Sequence, residues 1–379
     1  MIGETLDGRY AIVSEIGSGG MGAVYEARHT GTGRRVAVKV ITGELAKNDT
    51  LVSRFHREAR AAGAIEAQHI VQVLDTGKDP QTGLPFMVME YLDGEDLQHL
   101  FARLGPISAD LGLRLAAQAC LGLQKAHEGR VIHRDIKPGN LFLTTRDDGD
   151  HLLKVLDFGV AKIRADQANH LDTGGLTRTG SMLGSPLYMA PEQARGDGAP
   201  IDRRADVYCL GITLYEMLAG KVPFEDARDT GALLEMVTHQ EPPPLARMKK
   251  GLPDALVAVV EVAIEKDPAR RYQTAAAFSQ DLARFLQGEP IMARPPTRLT
   301  RTWRVVRRRG RLIVMSAALL SLVLGLGGSL HVLRRRWQAD NLVLDAIGLI
   351  RADQRDAARA TLDEALALWP GLAEAHFRK

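Results

Sequence analysis

Asp135 and Asn140 stand five residues apart in the run His133-Arg134-Asp135-Ile136-Lys137-Pro138-Gly139-Asn140. A carboxylate that can take a hydroxyl proton and a neutral amide oxygen that can ligate a hard cation, held on one short loop, are what phosphoryl transfer needs. Twenty-two residues after Asp135, Asp157-Phe158-Gly159 follows the apolar run over residues 152–156. That places a second carboxylate at the end of a strand, where it can hold a divalent cation. Upstream, Gly17-Ser18-Gly19-Gly20-Met21-Gly22-Ala23-Val24 fits the spacing G-x-G-x-x-G-x-V, in which missing β-carbons let backbone N–H groups approach phosphate oxygens. The glycines alone fit an ordinary hairpin or a dinucleotide-binding turn equally well. A dinucleotide fold would continue into a helix and carry an acid about 20 residues on. Here a strand follows, and the residue 22 positions after Gly17 is Lys39. Val36-Ala37-Val38-Lys39 ends in an ammonium that can reach nucleotide phosphates, with Glu58 as its candidate counter-charge. Ala190-Pro191-Glu192 completes the series.

These groups need a scaffold of two textures. Short β-type runs over residues 10–16, 23–27 and 35–41 are separated by glycines and predict an antiparallel meander, followed by a helix over 51–66. Residues 86–91 read as a further strand. Beyond it, Leu111, Leu115, Ala119 and Leu123 recur at helical spacing, and residues 206–219 and 253–266 are similar. Pro290, Pro295 and Pro296 mark a linker, so the globular part is expected to end near residue 286. A length of 379 residues allows two or three domains. Charged residues make up 25% and apolar residues 45% of the chain, which excludes a disordered or collagen-like polymer. Cys120 and Cys209 lie in apolar stretches without CxxC spacing, so neither a disulfide framework nor a metal site is expected, and a reducing compartment fits.

The net charge of +3 hides an asymmetry. Ten arginines and no acid lie between residues 298 and 336, leaving −7 for the remainder. They bracket one apolar run rather than spreading over a face, which points to a membrane and not to nucleic acid. Residues 312–330 carry no formal charge, and at about 1.5 Å per residue they span roughly 28 Å, close to a bilayer core of ~30 Å. Seven of the arginines precede the run and three follow it, which predicts a cytoplasmic N-terminal side and an external C-terminus. The N-terminus has no basic region followed by an apolar core, so no cleavable signal peptide is expected. The tail is helical in character, and residues 357–370 resemble the second helix of a tetratricopeptide repeat, with 371–377 opening a next helix. A generic Ala/Leu amphipathic helix fits them as well. One such unit cannot bury its own face and needs further repeats or a partner.

In order and spacing, the five motifs resemble those of the eukaryotic-type serine/threonine protein kinases over residues 10–286. The whole chain resembles the bacterial receptor-like branch with one transmembrane helix. The resemblance implies an α+β bilobal protein-kinase fold, with a β-rich N-lobe over 10–92 and an α-helical C-lobe over 93–286. A basic juxtamembrane linker over 287–311, a transmembrane helix over 312–333 and an extracytoplasmic helical segment over 334–379 would follow. It implies a single-pass protein of the bacterial inner membrane whose kinase domain is cytoplasmic, with ATP and Mg²⁺ as cofactors and Mn²⁺ as a substitute. Asp135 would be the catalytic base, Lys137 would meet the γ-phosphate, and Lys39 would bind phosphates and pair with Glu58. Asn140 and Asp157 would hold the metal. Ile16, the run Gly17, Ser18, Gly19, Gly20, Met21, Gly22, Ala23 and Val24, and Ala37, Lys39, Glu90, Leu92 and Phe142 would enclose ATP, with residues 89–92 as the hinge. Glu192 would pair with Arg271, and Asp206 would pin the catalytic loop. A lysine two residues after the base followed by Pro-x-Asn implies Ser/Thr specificity; Ser185 stands where the family usually has Thr. Thr177, Thr179 and Ser181 lie in the activation loop and are its expected phosphosites. Expected partners are protein substrates with Ser or Thr, the lipid bilayer, a second copy of the chain and a protein ligand of the C-terminal segment. The alternatives are a pseudokinase scaffold, or a membrane tether or sensor whose external segment is the principal function.

Overall fold

The computed structural model describes residues 1–19, 22–105, 107–145, 149–158, 185–198, 200–294 and 298–372; within these, the side chains of residues 44, 45, 51, 54, 58, 185, and 298–314 lie outside the description. The chain divides into two compact units, Met1–Pro295 and Pro296–Lys379.

The first unit opens with strands β1 (Thr5–Leu6), β2 (Tyr10–Gly19), β3 (Gly22–His29) and β4 (Arg35–Ile41), helix α1 (Asp49–Gly63), and strands β5 (Val73–Lys78) and β6 (Pro85–Glu90). The six strands form one antiparallel sheet in the order β1-β2-β3-β4-β6-β5. Because side chains alternate across a strand, β4 serves two cores. Val36, Val38 and Val40 join Tyr10, Ile12, Phe86 and Val88 on one face. Ala37 and Ile41 join Met87, Met89 and Phe55 and Ala59 of α1 on the other. Lys39 is on this second face by the same alternation.

A helical lobe follows, with β7 (Gly94–Asp96), α2 (Leu97–Leu104), α3 (Ala109–Glu128), β8 (Leu141–Thr145) and β9 (His151–Val155). After these come α4 (Pro191–Arg195), α5 (Arg204–Ala219), α6 (Thr230–His239), α7 (Leu245–Met248), α8 (Asp254–Ala263) and α9 (Ala275–Leu286). Side-chain caps start several of these helices: Ser108 Oγ accepts from Leu111 N, Asp96 from His99 N, and Thr274 Oγ1 from Ala277 N. Helix α5 is buried around nearly its whole circumference, as a central core helix must be. Cys120 of α3 and Cys209 of α5 lie in this core, and burial pushes both thiols well above their ordinary range. The α+β, two-lobed architecture expected from the sequence is present.

Two boundaries differ from expectation. The compact unit continues past residue 286: Ile291 and Ala293 pack on the helical core, held by buried Asp281, which accepts from Met292 N, Ala293 N and Tyr272 Oη. The arginine-rich stretch read as linker is helical from residue 298, the start of α10 (Arg298–Arg351). Arginine is a good helix former and no proline follows Pro296 there, so nothing local interrupts the helix.

In the second unit, Met315–Arg351 contains an 18-residue window of mean hydropathy 1.8 with none of it buried. Toward its C-terminal end, Ala339, Val343 and Ala346 of α10 pack against Leu362 and Ala365 of α11 (Arg355–Leu368) and against Leu372. The two helices form a hairpin through a turn in which Asp353 has φ 60°. The further helix expected over 371–377 falls largely on residues outside those described.

Candidate active site

The glycine run is a hairpin between β2 and β3, with Gly17 opposite Val24, Ser18 opposite Ala23 and Gly19 opposite Gly22. Gly20 and Met21 lie outside the described residues. Gly22 has φ 150°, and a Cβ there would sit 1.9 Å from Val40 O of β4, so no other residue fits without moving the sheet. Gly17 and Gly19 face open space. Val24, Ala37 and Leu92 belong to one apolar cluster with Leu156, Met87 and Met89. Ile16 is exposed, and Phe142 is half-buried on β8. The Glu90 carboxylate accepts from Lys154 Nζ at 2.6 Å and from Gln72 N at 2.7 Å, so it is engaged with protein partners at the junction of the lobes.

Lys39 Nζ lies 2.6 Å from Asp157 Oδ1, with the lysine 14% and the aspartate 31% exposed. Glu58 is on α1, but its pairing with Lys39 lies outside what the structure describes. Asp157 has φ 57°, a left-handed conformation that a short polar side chain tolerates better than most; it turns the chain directly after β9.

Residues 131–140 form the loop that follows α3 and ends in the 3₁₀ turn Pro138–Asn140. Asp206, fully buried near the start of α5, accepts from His133 N at 2.9 Å, Arg134 N at 2.7 Å and His127 Nε2 at 2.8 Å. Arg134 has φ 68°, and its carbonyl accepts from Gln193 Nε2 of α4 at 2.8 Å. His133 Nδ1 accepts from Asp135 N, so the ring hydrogen is on Nε2, which donates to Leu156 O at 2.6 Å. The His133 ring also meets Phe158 edge to face, with centroids 4.7 Å apart.

On this loop, Asp135 Oδ2 accepts from Lys137 Nζ at 3.0 Å and from Asn140 Nδ2 at 3.2 Å, and Asn140 Nδ2 donates to Asp135 O at 2.6 Å. Leu156 N donates to Asn140 O at 2.9 Å. Leu156 thus bonds the loop on both sides, through His133 and Asn140, and the next residue is Asp157. The pair Lys39–Asp157 and the cluster Asp135–Lys137–Asn140 therefore meet at one backbone junction between the lobes.

The donor set suits a hard divalent cation. Asn140 makes its hydrogen bonds through its amide nitrogen, which leaves the carboxamide oxygen as the end that could ligate a cation together with the Asp157 carboxylate. Among the described residues no group of three or more His, Cys, Asp or Glu is placed for a metal. A cation held by Asn140 and Asp157 would leave positions for phosphate oxygens and water, which suits Mg²⁺.

Glu192 and Arg271 form a buried bidentate pair, Nη1 to Oε1 at 2.7 Å and Nη2 to Oε2 at 2.8 Å. Arg271 also donates to the carbonyls of Glu265, Lys266 and Arg204, which ties α4 to the segment before α9. Thr177, Thr179 and Ser181 lie outside the described residues, as does the side chain of Ser185. Three partners escaped the sequence reading: His127 for Asp206, Gln193 for the Arg134 carbonyl and Lys154 for Glu90. Only Lys154 left a trace, as a charge in the otherwise apolar strand Leu152-Leu153-Lys154-Val155.

A family model described as protein kinase domain matches residues 10–283. The chain is 40% identical over 287 residues to serine/threonine-protein kinase PknB of Mycobacterium tuberculosis, covering 75% of this chain and 44% of that protein. It is 41% identical over 278 residues to serine/threonine-protein kinase Pkn1 of Myxococcus xanthus, covering 73% of this chain and 38% of that one. The crystal structure of the PknI kinase domain from Mycobacterium tuberculosis is similar with a TM-score of 0.57 at 28% identity, covering 75% of this chain and 98% of that domain. The chain spans half or less of the length of the curated relatives it matches.

Proposed function

The chain belongs to the protein kinase family, and from that membership we propose that it transfers the γ-phosphoryl group of ATP to Ser and Thr hydroxyls of proteins, itself included. The observation that carries this reading is the junction at Leu156, where an ammonium, two carboxylates and a carboxamide from three separate sequence segments are brought to one place. Kinases use ATP with a divalent cation; we assign Mg²⁺ here, with Mn²⁺ as a substitute. When bound, the cation neutralises charge on the phosphates.

Asp135, oriented by Asn140 and by the loop that Asp206 holds, accepts the hydroxyl proton. Lys137, now on the Asp135 carboxylate, offers its ammonium to the phosphoryl group in transit, and Lys39 offers its own to the α- and β-phosphates. Both lysines exchange a carboxylate partner for phosphate oxygens, so little charge is left unpaired at any stage. Gly22 lets the β2–β3 hairpin lie flat against β4, and the apolar cluster of Val24, Ala37 and Leu92 offers a dry face to the adenine. Thr177, Thr179 and Ser181 are assigned as autophosphorylation sites, each adding about −1.5 to −2 charge to a loop that follows the metal-binding aspartate. The comparisons lend the scaffold alternative no support.

We place the chain in a bacterial cell membrane through residues 312–333, kinase domain inside and C-terminus outside. The exposed apolar face of α10 and the excess of arginine before it support this. In the test, the full chain is incubated in detergent with Mg²⁺ and labelled ATP. Wild type incorporates label on Ser and Thr, and Asp135→Asn loses roughly a hundredfold to ten-thousandfold of that rate. Full incorporation by Asp135→Asn removes Asp135 from its role.

A further inference from the structure

Where the end of α3 and the start of the catalytic loop meet the start of α5 lies an open pocket of about 400 Å³ whose lining includes His127, Arg130, Asp202, Arg203, Arg204 and Gln273. It collects three guanidinium groups and one carboxylate. That carboxylate, Asp202, is taken by Arg204, whose Nε and Nη2 bond it at 2.6–3.0 Å. Arg203 donates its Nε to Gln273 O, and among the described residues neither Arg130 nor Arg203 has a carboxylate partner. The pocket is therefore cationic in excess.

His127 is one of the lining residues. Its side chain is 1% exposed, and its Nδ1 is the one buried side-chain polar atom among the described residues with no hydrogen-bond partner. Leaving such an atom unmet costs free energy, and in native structures water, an ion or a ligand usually meets it. The opposite nitrogen faces the Asp206 carboxylate, which can only accept, so Nε2 carries hydrogen. Nδ1 is then an acceptor on the neutral ring or a second donor on the imidazolium. A phosphate-type oxyanion suits both states, offering P–OH to the first and P–O⁻ to the second.

We propose that this pocket is a binding site for a phosphate group, held by Arg130, Arg203 and His127. We further propose that its occupancy is transmitted to the catalytic loop through the His127–Asp206 hydrogen bond. Asp206 also accepts from the backbone of His133 and Arg134, so fixing His127 fixes the acceptor that sets the loop carrying Asp135. Arginine forks match phosphate oxygens, and the partial exposure of the pocket keeps the desolvation cost low.

The test uses the full chain in detergent, with the nucleotide site saturated by Mg²⁺ and a non-hydrolysable ATP analogue so that phosphate cannot register there. Inorganic phosphate is titrated calorimetrically against sodium chloride at matched ionic strength, and O-phosphothreonine is titrated separately. Stronger binding of the free ion points to a soluble effector, and stronger binding of the phosphoamino acid to a phosphorylated side chain. Saturable binding is expected, weakened about tenfold or more in the double variant Arg130→Gln/Arg203→Gln. Both side chains are exposed, so the variant should melt with wild type. With ATP in place of the analogue, the autophosphorylation rate of wild type should change with the same midpoint, and that of the variant should not. Binding no stronger than chloride, or unchanged in the variant, overturns the site. Binding without any change in rate overturns the coupling. The calorimetric arm stands whether or not the chain transfers phosphate.

Discussion

Asp79 is a buried carboxylate remote from the chemistry, and its bonds make it a probe of the N-lobe. It accepts from Asp7 N at 2.8 Å, Thr82 N at 2.8 Å and Thr82 Oγ1 at 2.7 Å, and so joins the β1–β2 turn to the β5–β6 hairpin. Burial pushes its pKa up, but the bonds from Thr82, Asp7 and Gln81 outweigh it, and the net pKa is below the ordinary aspartate value. A depressed folded value means that the ionised form stabilises the fold above the unfolded value, and that this contribution is lost as pH falls through the folded one. Chemical denaturation from pH 7 down to about pH 3 should therefore show Asp79→Asn less stable than wild type at neutral pH, with the gap narrowing below pH ~4. A constant gap would assign the loss to packing instead. At this scale the candidate groups could be picked out, because Asp135 and Asn140 share one loop and Asp157 follows an apolar strand. Their supports were not, since His127–Asp206 and Lys154–Glu90 are 79 and 64 positions apart and no local pattern joins them.

Between elements, Glu192 and Arg271 form a buried bidentate pair. Removing one partner of such a pair leaves an uncompensated buried charge, at a cost of about 3–5 kcal/mol. Arg271→Met should lose that much in denaturant unfolding of the full chain, and the double variant Glu192→Leu/Arg271→Met should recover part of it. If the double variant is as unstable as the single, backbone contacts of Arg271 carry the effect. Helix α5 supplies a second case. A Cβ on Gly211 would come within 2.8 Å of Ile264 Cγ2 and 2.9 Å of Ala263 Cβ at the end of α8. Gly211→Ala therefore sets a gain of up to ~1 kcal/mol in helix propensity against ~1–3 kcal/mol of overpacking. Thermal unfolding should show net destabilisation. The strands and the amphipathic helices were readable because one face of each is apolar at a fixed period. The helical start of α10 was passed over although Leu299, Trp303 and Val306 recur at helical spacing there, because the nearby prolines and the density of arginine read as a linker.

Taken whole, the chain is two compact units joined at residues 295–296, and the apolar part of α10 belongs to the second. A chain ending at residue 295 is expected in the soluble fraction with its autophosphorylation retained, whereas the full chain should stay with membranes through alkaline carbonate washing. Sedimentation of the short chain with membranes would mean that the first unit carries an attachment of its own. The length arithmetic of residues 312–330 picked out the apolar stretch of α10, but the longer helix around it depends on the absence of a breaker, which hydropathy does not report. Inside the first unit, Cys120 and Cys209 sit in one core with their thiols held protonated. Alkylating reagents attack the thiolate, so the closed protein is inert to them and modification counts openings of the helical lobe. Cys209 Sγ lies 3.7 Å from Gln193 Oε1, the same side chain that holds the Arg134 carbonyl. Its labelling relative to that of Cys120 therefore separates local breathing beside the reaction centre from global unfolding, with no engineered reporter.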